Sequence, residues 1–306
     1  MLILALADLF AGGVALSPAE VLRGLGGSGV EGEIVLGLRL PRILTALIAG
    51  ASLALGGTQM QAVFRNPLAD PHIMGVSGGA GLGAAIASLA TAGSALGMAG
   101  GAFAGAVLAS ALILLAGTTL RGANTLLIFG VLLGFIFSAL TSVTEYTASE
   151  ESIKLFYNWA AGTFSANSLT GVAIMAGAFT ISLLISIPLA KGLDISLFGE
   201  EFAAYAGASS KGIRLLAILS CCLCTGAVTA FCGPLGFAGI IAPHIARGIT
   251  GTSVHKVVIP SSIFCGAAIA LLADIISQLA PTPLPSGSTL ALLGIPLIAA
   301  IMLRKV

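Results

Sequence analysis

The chain has 306 residues, of which 57% are apolar and 8% are charged, and its formal net charge is +1. A soluble domain carries about a quarter charged residues, so this composition excludes an ordinary water-soluble globular protein. The small net charge also excludes a bulk basic surface for nucleic acid. Ile73 to Leu120 is a run of 48 uncharged residues, whereas a membrane-spanning helix needs roughly 20. The predicted fold class is therefore all-α, a polytopic membrane protein.

Ten spanning helices are predicted when the apolar runs are divided at turn-forming residues. The first span is short and carries Asp8, and an ionisable group inside a span is costly. We therefore expect this span to be truncated, with the true start upstream of Met1. A small-residue turn at Thr91, Gly93 and Ser94 divides the third span from the fourth. The predicted spans, which make the whole chain 1–306 a single transmembrane domain, are residues 2–16, 43–64, 73–91, 95–117, 123–144, 169–190, 212–231, 235–250, 258–279 and 288–303.

The loop charges predict the orientation in the membrane. With the N-terminus inside, the inside loops hold nine Lys and Arg residues and the outside loops hold four. Because cytoplasmic loops carry the excess of positive charge, both termini are predicted to be cytoplasmic. The inside residues are Arg65, Arg121, Lys191, Lys211, Arg214, Arg247, Lys256, Arg304 and Lys305, and the outside residues are Arg23, Arg39, Arg42 and Lys154.

The segment Arg65–Gly81, RNPLADPHIMGVSGGAG, breaks the apolar pattern. Pro67 cannot continue a helix, and Asp70 before Pro71 is typical of an N-cap followed by a proline at the first helical position. The sequence predicts a cytoplasmic turn that ends the second span and caps the third. The glycines favour close helix packing. Nucleotide binding is disfavoured because the segment follows no strand and contains no lysine.

A second segment, Phe231–Gly248, again places proline and glycine between two apolar runs. RNPLADPHIMG and CGPLGFAGIIAPH share a polar or small residue, then Pro-Leu, then a small-rich helix. The predicted topology puts the first break on the cytoplasmic side and the second outside. The pair therefore indicates an inverted repeat of the kind from which many transporters are built.

Three long motifs carry a resemblance to a known family. The first, LRLPRILTALIAGASLALGGTQMQAVFRNPLADPHIMGVSGGAGLGA, resembles the signature region of the FecCD-type ABC importer permeases. GPLGFAGIIAPHIARGITG resembles its second motif, with Pro243, His244 and Arg247 as the core, and GEEFAAYAG at Gly199–Gly207 resembles the third. The match runs from about residue 17 to the C-terminus.

The resemblance implies a subunit of ten helices in the cytoplasmic (inner) membrane of a prokaryote, paired as a homodimer or pseudo-symmetric pair around a central path. It also implies two separate ATPase subunits on the cytoplasmic side and an external substrate-binding protein. The cargo would be an iron–siderophore complex, haem or cobalamin, and the motifs do not distinguish among these.

The chain contains no G-x-x-x-x-G-K-[ST] phosphate loop, so we expect it to bind no cofactor, with ATP hydrolysed on a partner subunit. Residues 191–211 are the natural contact for that subunit. Phe198, Phe202 and Tyr205 would share one side of a short helix whose first turn is acidic. The resemblance makes this the coupling helix, and the alternative is a solvated loop helix. The residues predicted to couple are Gly199, Glu200, Glu201, Ala203 and Gly207.

Arg39 and Arg42 are predicted to lie outside, at the entrance to the second span. By themselves they would be interfacial anchors, but the resemblance implies that they dock the binding protein. The family often carries an arginine where this chain has Gln278, so the external surface is expected to differ there. For Asp274 the resemblance implies a structural bond to a neighbouring helix end.

A bulky chelate needs a wide path that binds it weakly, because a tight site would trap it, and polar side chains within the spans could line such a path. Gln59 and Gln61 in the second span, and Thr141 and Ser142 in the fifth, are the candidates for that lining. By family position, the turn formed by Gly122, Ala123 and Asn124 is the candidate cytoplasmic gate.

An ion-gradient-driven secondary transporter is the alternative class, because such proteins place ionisable groups at mid-membrane. Only Asp274 and Asp8 meet that description, which favours the ABC interpretation. An intramembrane enzyme would need clustered metal-binding or nucleophilic groups. The candidates for such chemistry are separated along the chain or lie in an apolar run, and no metal site is predicted from them: His72, His244, His255, Cys221 and Cys224.

Overall fold

The computed structural model describes residues 1–12, 14, 16–27, 29–90, 95–120, 122–165, 168–280 and 282–303. In these ranges the chain forms α-helices and no strand, which confirms the all-α prediction. The helices are α1 Leu2–Phe10, α2 Pro18–Leu25, α3 Gly29–Ile34, α4 Leu40–Val63, α5 Val76–Ala90, α6 Ala95–Thr119, α7 Ala123–Tyr146, α8 Glu150–Ala160, α9 Leu169–Ser196, α10 Glu200–Tyr205, α11 Ser210–Cys232, α12 Ala238–Thr250, α13 His255–Leu279 and α14 Ser286–Leu303.

Six helical stretches in the described ranges are long and apolar enough to cross a membrane. They are the continuous stretch that ends with α4, together with α6, α7, α9, α11 and α13. Helices α1, α5, α12 and α14 occupy the other four predicted spans. Three predictions lie outside the described residues: the turn at 91–94, and the loop charges at 121 and at 304–305.

The first span is shorter than predicted. Helix α1 has 9 residues, which gives it a length of about 14 Å, whereas the hydrocarbon core of a bilayer is about 30 Å thick. The chain leaves the helix at Ala11, whose backbone is extended. The capping box of Ser17 and Glu20 then starts α2, which the sequence analysis did not predict. The Ser17 backbone N–H donates to the Glu20 carboxylate and lowers the pKa of that group.

The second span begins earlier than predicted. A continuous helical stretch runs over Gly29–Val63, so Arg39 and Arg42 lie within it and not in a loop at its entrance. Pro41 has no N–H to donate to the preceding turn. The helix widens into a π-helical stretch at Val35–Arg39 instead of ending there.

Glycine pairs set how closely the central helices approach. A Cβ added to Gly50 of α4 would lie 2.2 Å from the carbonyl oxygen of Gly266 on α13. One added to Gly57 would lie 1.9 Å from the carbonyl oxygen of Gly239 on α12. Both distances are too short for any side chain, so α4 packs backbone to backbone against these two helices. Such contacts favour helix association in lipid, where no hydrophobic drive exists between helices.

The first break ends the second span and is capped at Asp70 ahead of the third, as the sequence predicted. Helix α4 ends at Val63, and the chain turns back at Arg65, whose φ is +49°. Asp70 caps a 3₁₀ turn over Pro71–Met74 and accepts a 2.8 Å hydrogen bond from the His72 backbone N–H. Pro71 is buried, and α5 begins only at Val76. The proline turn therefore lies inside the bundle, where glycines of α4 and α12 leave room for it.

The two proline–glycine breaks contact each other inside the bundle. The imidazole Nε2 of His72 in the first break hydrogen-bonds the carbonyl oxygen of Leu235 in the second. A Cβ on Gly239 would lie 2.8 Å from the Pro71 ring. The first break therefore carries His72 into the bundle. Around each break the helices repeat in length, with 24, 15 and 25 residues for α4, α5 and α6 and 23, 13 and 25 for α11, α12 and α13.

Candidate functional site

The short helix α10 lies between the end of α9 and the start of α11, and we call this end of the bundle the coupling end. Gly199 is the N-cap of α10 and has φ +106°. Gly207 follows the helix with φ +73°. L-residues rarely adopt either conformation, so the two glycines of the third motif fix where α10 begins and ends.

One face of α10 is aromatic and open. Phe198, Phe202 and Tyr205 are 72%, 50% and 92% exposed, and the ring centroids of Phe198 and Phe202 lie 5.1 Å apart. Ala203 on the opposite side is fully buried and anchors the helix to the bundle. The structure thus confirms the predicted short helix with an aromatic side. Glu200 and Glu201 occupy its first turn, as predicted.

The structure brings the predicted gate turn to the predicted coupling helix. A cavity of about 430 Å³ is lined by Gly122, Ala123 and Asn124 from the start of α7 and by Phe198, Gly199 and Glu201 beside α10. Gly122 has φ +83°, so the turn into α7 depends on glycine. The start of α7 and the segment around α10 therefore border the same space.

Arg65 is a residue of this site whose position the sequence analysis missed. It lines the same cavity, and its Nη1 would lie 3.3 Å from a Cβ on Gly199. The sequence analysis counted Arg65 only as an inside charge. The available signal was its place directly after a long apolar helix and before Asn66-Pro67, where the chain reverses.

A second and larger cavity opens beside α12. It measures about 740 Å³ and is lined by Gln61, Arg65, His244 and Arg247 together with aliphatic side chains. Arg247 Nη1 donates a 2.6 Å hydrogen bond to Gln61 Oε1, and Gln61 Nε2 donates to the Ile240 carbonyl at 3.3 Å. This pair ties the end of α4 to the second sequence motif.

The four candidate path residues lie in three different surroundings. Gln59 is fully buried and donates a 2.5 Å hydrogen bond to Ser186 on α9. Gln61 lines the cavity beside α12. Thr141 donates to the Phe137 carbonyl within α7, and Ser142 is exposed on the same helix. Gln59 therefore contributes to helix packing here, and the lining role of the set stays a prediction.

At the opposite end of the bundle, the two predicted docking arginines are engaged within the chain. Arg39 is buried and donates to the carbonyl oxygens of Leu9 and Val14. It thereby satisfies carbonyl groups at the end of α1 and in the loop that follows, which would otherwise lack partners in the helix. Its role in this structure is to hold α1 against α4.

Arg42 forms a bidentate ion pair with Asp274 of α13, with both N–O distances 2.7 Å. Gln278 donates to Asp274 at 3.1 Å and to Asp8 at 2.7 Å. The structure therefore places Asp274 in a bond to a neighbouring helix, as the sequence analysis expected. Gln278, a neutral donor, serves both carboxylates at the position where the family often has an arginine.

No candidate metal site is found in the part of the chain that the structure describes. No group of three His, Cys, Asp or Glu side chains there could hold a metal ion, and the five cysteines are free thiols. His255 pairs with Asp194 at 2.6 Å, and His244 Nδ1 bonds the Ile240 carbonyl at 2.8 Å. These contacts account for two of the three histidines as structural groups.

A bundle of apolar helices, two facing proline–glycine breaks and an open aromatic helix at one end together define a multi-pass membrane permease. The chain belongs to the FecCD transport family, whose model matches residues 1–304. It is 33% identical to the vitamin B12 import system permease protein BtuC of Salmonella arizonae, over 100% of this chain and 92% of that protein. It is 29% identical to the hemin transport system permease protein HmuU of Yersinia pestis, over 89% of this chain and 84% of that protein.

A solved structure of a metal-chelate type ABC transporter in an inward-facing conformation has the same fold. It superimposes with a TM-score of 0.83 at 28% identity, covering 99% of this chain and 95% of the other. PsaBC from Streptococcus pneumoniae, at 17% identity and a TM-score of 0.57, shares the fold alone.

Proposed function

We propose that this chain is the transmembrane permease subunit of a binding-protein-dependent ABC importer in a prokaryotic cytoplasmic membrane. The cargo is cobalamin or an iron chelate such as haem or a siderophore complex. The names of the relatives support this class of cargo. The observation that carries the mechanism is the cavity that the coupling helix shares with the gate turn.

ATP is hydrolysed on a separate ATPase subunit that docks against α10. The exposed aromatic side of this helix, formed by Phe198, Phe202 and Tyr205, is suited to a groove on a partner, because a short amphipathic helix buries its apolar face there. The segment 191–211 is the coupling segment of a chain that works as one transmembrane domain. The chain itself binds no ATP and no other cofactor.

The gate is moved through the walls of the shared cavity. When the ATPase shifts α10, Gly199 and Glu201 move against Gly122, Ala123 and Asn124 at the start of α7. Thr141 and Ser142 lie further along α7 and would move with it. One movement of α7 would therefore shift both the gate turn and the path-lining residues. This mechanism needs no chemically reactive residue.

The external binding protein docks at the opposite end, near Arg39 and Arg42. The Arg42 side chain is 16% exposed and is paired with Asp274. The two arginines therefore support docking mainly by stabilising the shape of this surface. They contribute less through their charges, because both guanidinium groups are already engaged within the chain. A second copy of the chain completes the path, both termini face the cytoplasm, and the lipid bilayer surrounds the pair.

Uptake into proteoliposomes tests the proposal. The permease is reconstituted with its ATPase and binding protein, and labelled cobalamin and ferric haem are supplied outside. Uptake is expected to require ATP inside and to survive an uncoupler that collapses ion gradients. Uptake that an uncoupler abolishes and ATP does not drive would instead identify a secondary transporter.

A further inference from the structure

The cavity beside α12 at the coupling end carries unbalanced positive charge. Arg65 from the end of α4 and Arg247 from α12 both line its volume of about 740 Å³. No acidic side chain lines it within the described ranges. Neither guanidinium pairs with a carboxylate among the side chains that the structure describes. Glu201 lines the neighbouring cavity, which Arg65 also borders.

A hydrogen bond to Gln61 orients the Arg247 guanidinium, which lines the cavity. Its Nη1 donates to Gln61 at 2.6 Å, and the Gln61 amide is itself bonded to the backbone of α12. A guanidinium has five N–H donors, so this one bond leaves further donors for a ligand. Arginine binds phosphate oxygens in a bidentate manner with charge-assisted hydrogen bonds.

Besides the polar side chains of Gln61, His244 and Ser253, the cavity wall is mainly aliphatic, and it lies at the ends of membrane-spanning helices. Ile245, Ile249 and Leu297 line it, and Ile249 is 76% exposed. A free inorganic anion gains nothing from such a wall, whereas a molecule with an anionic head and a hydrocarbon tail contacts both parts. Basic pockets between membrane helices bind anionic lipid headgroups for this reason.

We propose that this cavity binds an anionic phospholipid from the leaflet at the coupling end. The phosphate lies between Arg65 and Arg247, and the acyl chains follow the aliphatic side of α12 and α14. The proposal requires only that the helices cross a bilayer, and it does not depend on which cargo the permease carries.

Lipid binding to the full-length permease, purified in its native assembly, provides the test. Native mass spectrometry and thermal unfolding are measured with added phosphatidylglycerol, phosphatidylcholine or inorganic phosphate. We expect retention of phosphatidylglycerol and a raised Tm with that lipid alone, because a ligand that binds only the folded state stabilises it. Arg65→Gln and Arg247→Gln are each expected to lower the apparent affinity about fivefold.

Two control variants distinguish the effect of the arginine charges on lipid affinity from an effect on folding. Arg247→Lys keeps the positive charge but loses the bidentate geometry, and it is expected to weaken binding less than Arg247→Gln does. Arg23→Gln removes an exposed charge from α2, whose partner is Glu31 at 3.8 Å, and is expected to leave the affinity unchanged. Equal phosphatidylglycerol affinity in wild type and Arg65→Gln would overturn the proposal. So would equal stabilisation by inorganic phosphate, or displacement of the lipid by cobalamin or haem, which would assign the cavity to solutes or to the cargo path.

Discussion

Gly199→Ala should separate ATP hydrolysis from transport. Gly199 has φ +106° and ψ +166°, a backbone conformation that is essentially reserved for glycine. An added Cβ would also lie 3.3 Å from Nη1 of Arg65. Because Gly199 is the N-cap of α10, the strain falls at the point where the chain leaves α9 and enters the coupling helix.

The magnitude follows from that backbone strain. A non-glycine residue held in such a conformation costs roughly 1–3 kcal/mol, and a coupling free energy of that size changes an equilibrium roughly 5- to 150-fold. We expect the strain to displace α10 from the cavity that Gly199 and Glu201 share with Gly122 and Asn124. We therefore expect the uptake rate to fall by roughly 5- to 150-fold. ATP hydrolysis should fall less, since the aromatic face of α10 is unchanged.

Proteoliposomes with the permease, its ATPase and its binding protein give both rates in one preparation. Gly177→Ala is the matched control, because an added Cβ at Gly177 on α9 has nothing within 4 Å, and it should preserve uptake and hydrolysis. The amount of ATPase that copurifies shows whether the complex has assembled. Wild-type uptake by a fully assembled Gly199→Ala complex would refute the role given to this N-cap.

Three further predictions concern docking and packing. Phe202→Ala should weaken ATPase copurification by about tenfold or more, because truncating a central aromatic anchor costs about 2 kcal/mol; Tyr146→Ala, exposed at the end of α7, should not. Arg42→Gln leaves Asp274 buried without its partner and should lower unfolding stability by about 3–5 kcal/mol; the double variant with Asp274→Asn should recover part of it, and equal losses would contradict the ion pair. Gly50→Ala places a Cβ 2.2 Å from the Gly266 carbonyl and should lower the Tm through overpacking of about 1–3 kcal/mol, so an unchanged Tm would contradict this close approach.

The sequence by itself determined the membrane class, the approximate positions of the spans and the existence of the short helix α10. These are local properties. A run of apolar residues decides whether a helix is stable in lipid, and glycines such as Gly199 and Gly207 permit the backbone turns that bound a short helix. The helix breaks at Pro71 and Pro234 could likewise be predicted from the sequence, because proline cannot continue a helix.

Only the tertiary structure showed where those breaks lie in the bundle and which residues they contact. His72 contacts Leu235, and Arg42 pairs with Asp274 across 232 positions of sequence. Gly122 and Gly199 line one cavity only because α7, α9 and α10 converge at one end of the bundle. Such contacts depend on how closely backbones approach at glycine pairs like Gly50 and Gly266. That approach is a property of two helices together, so neither segment alone specifies it.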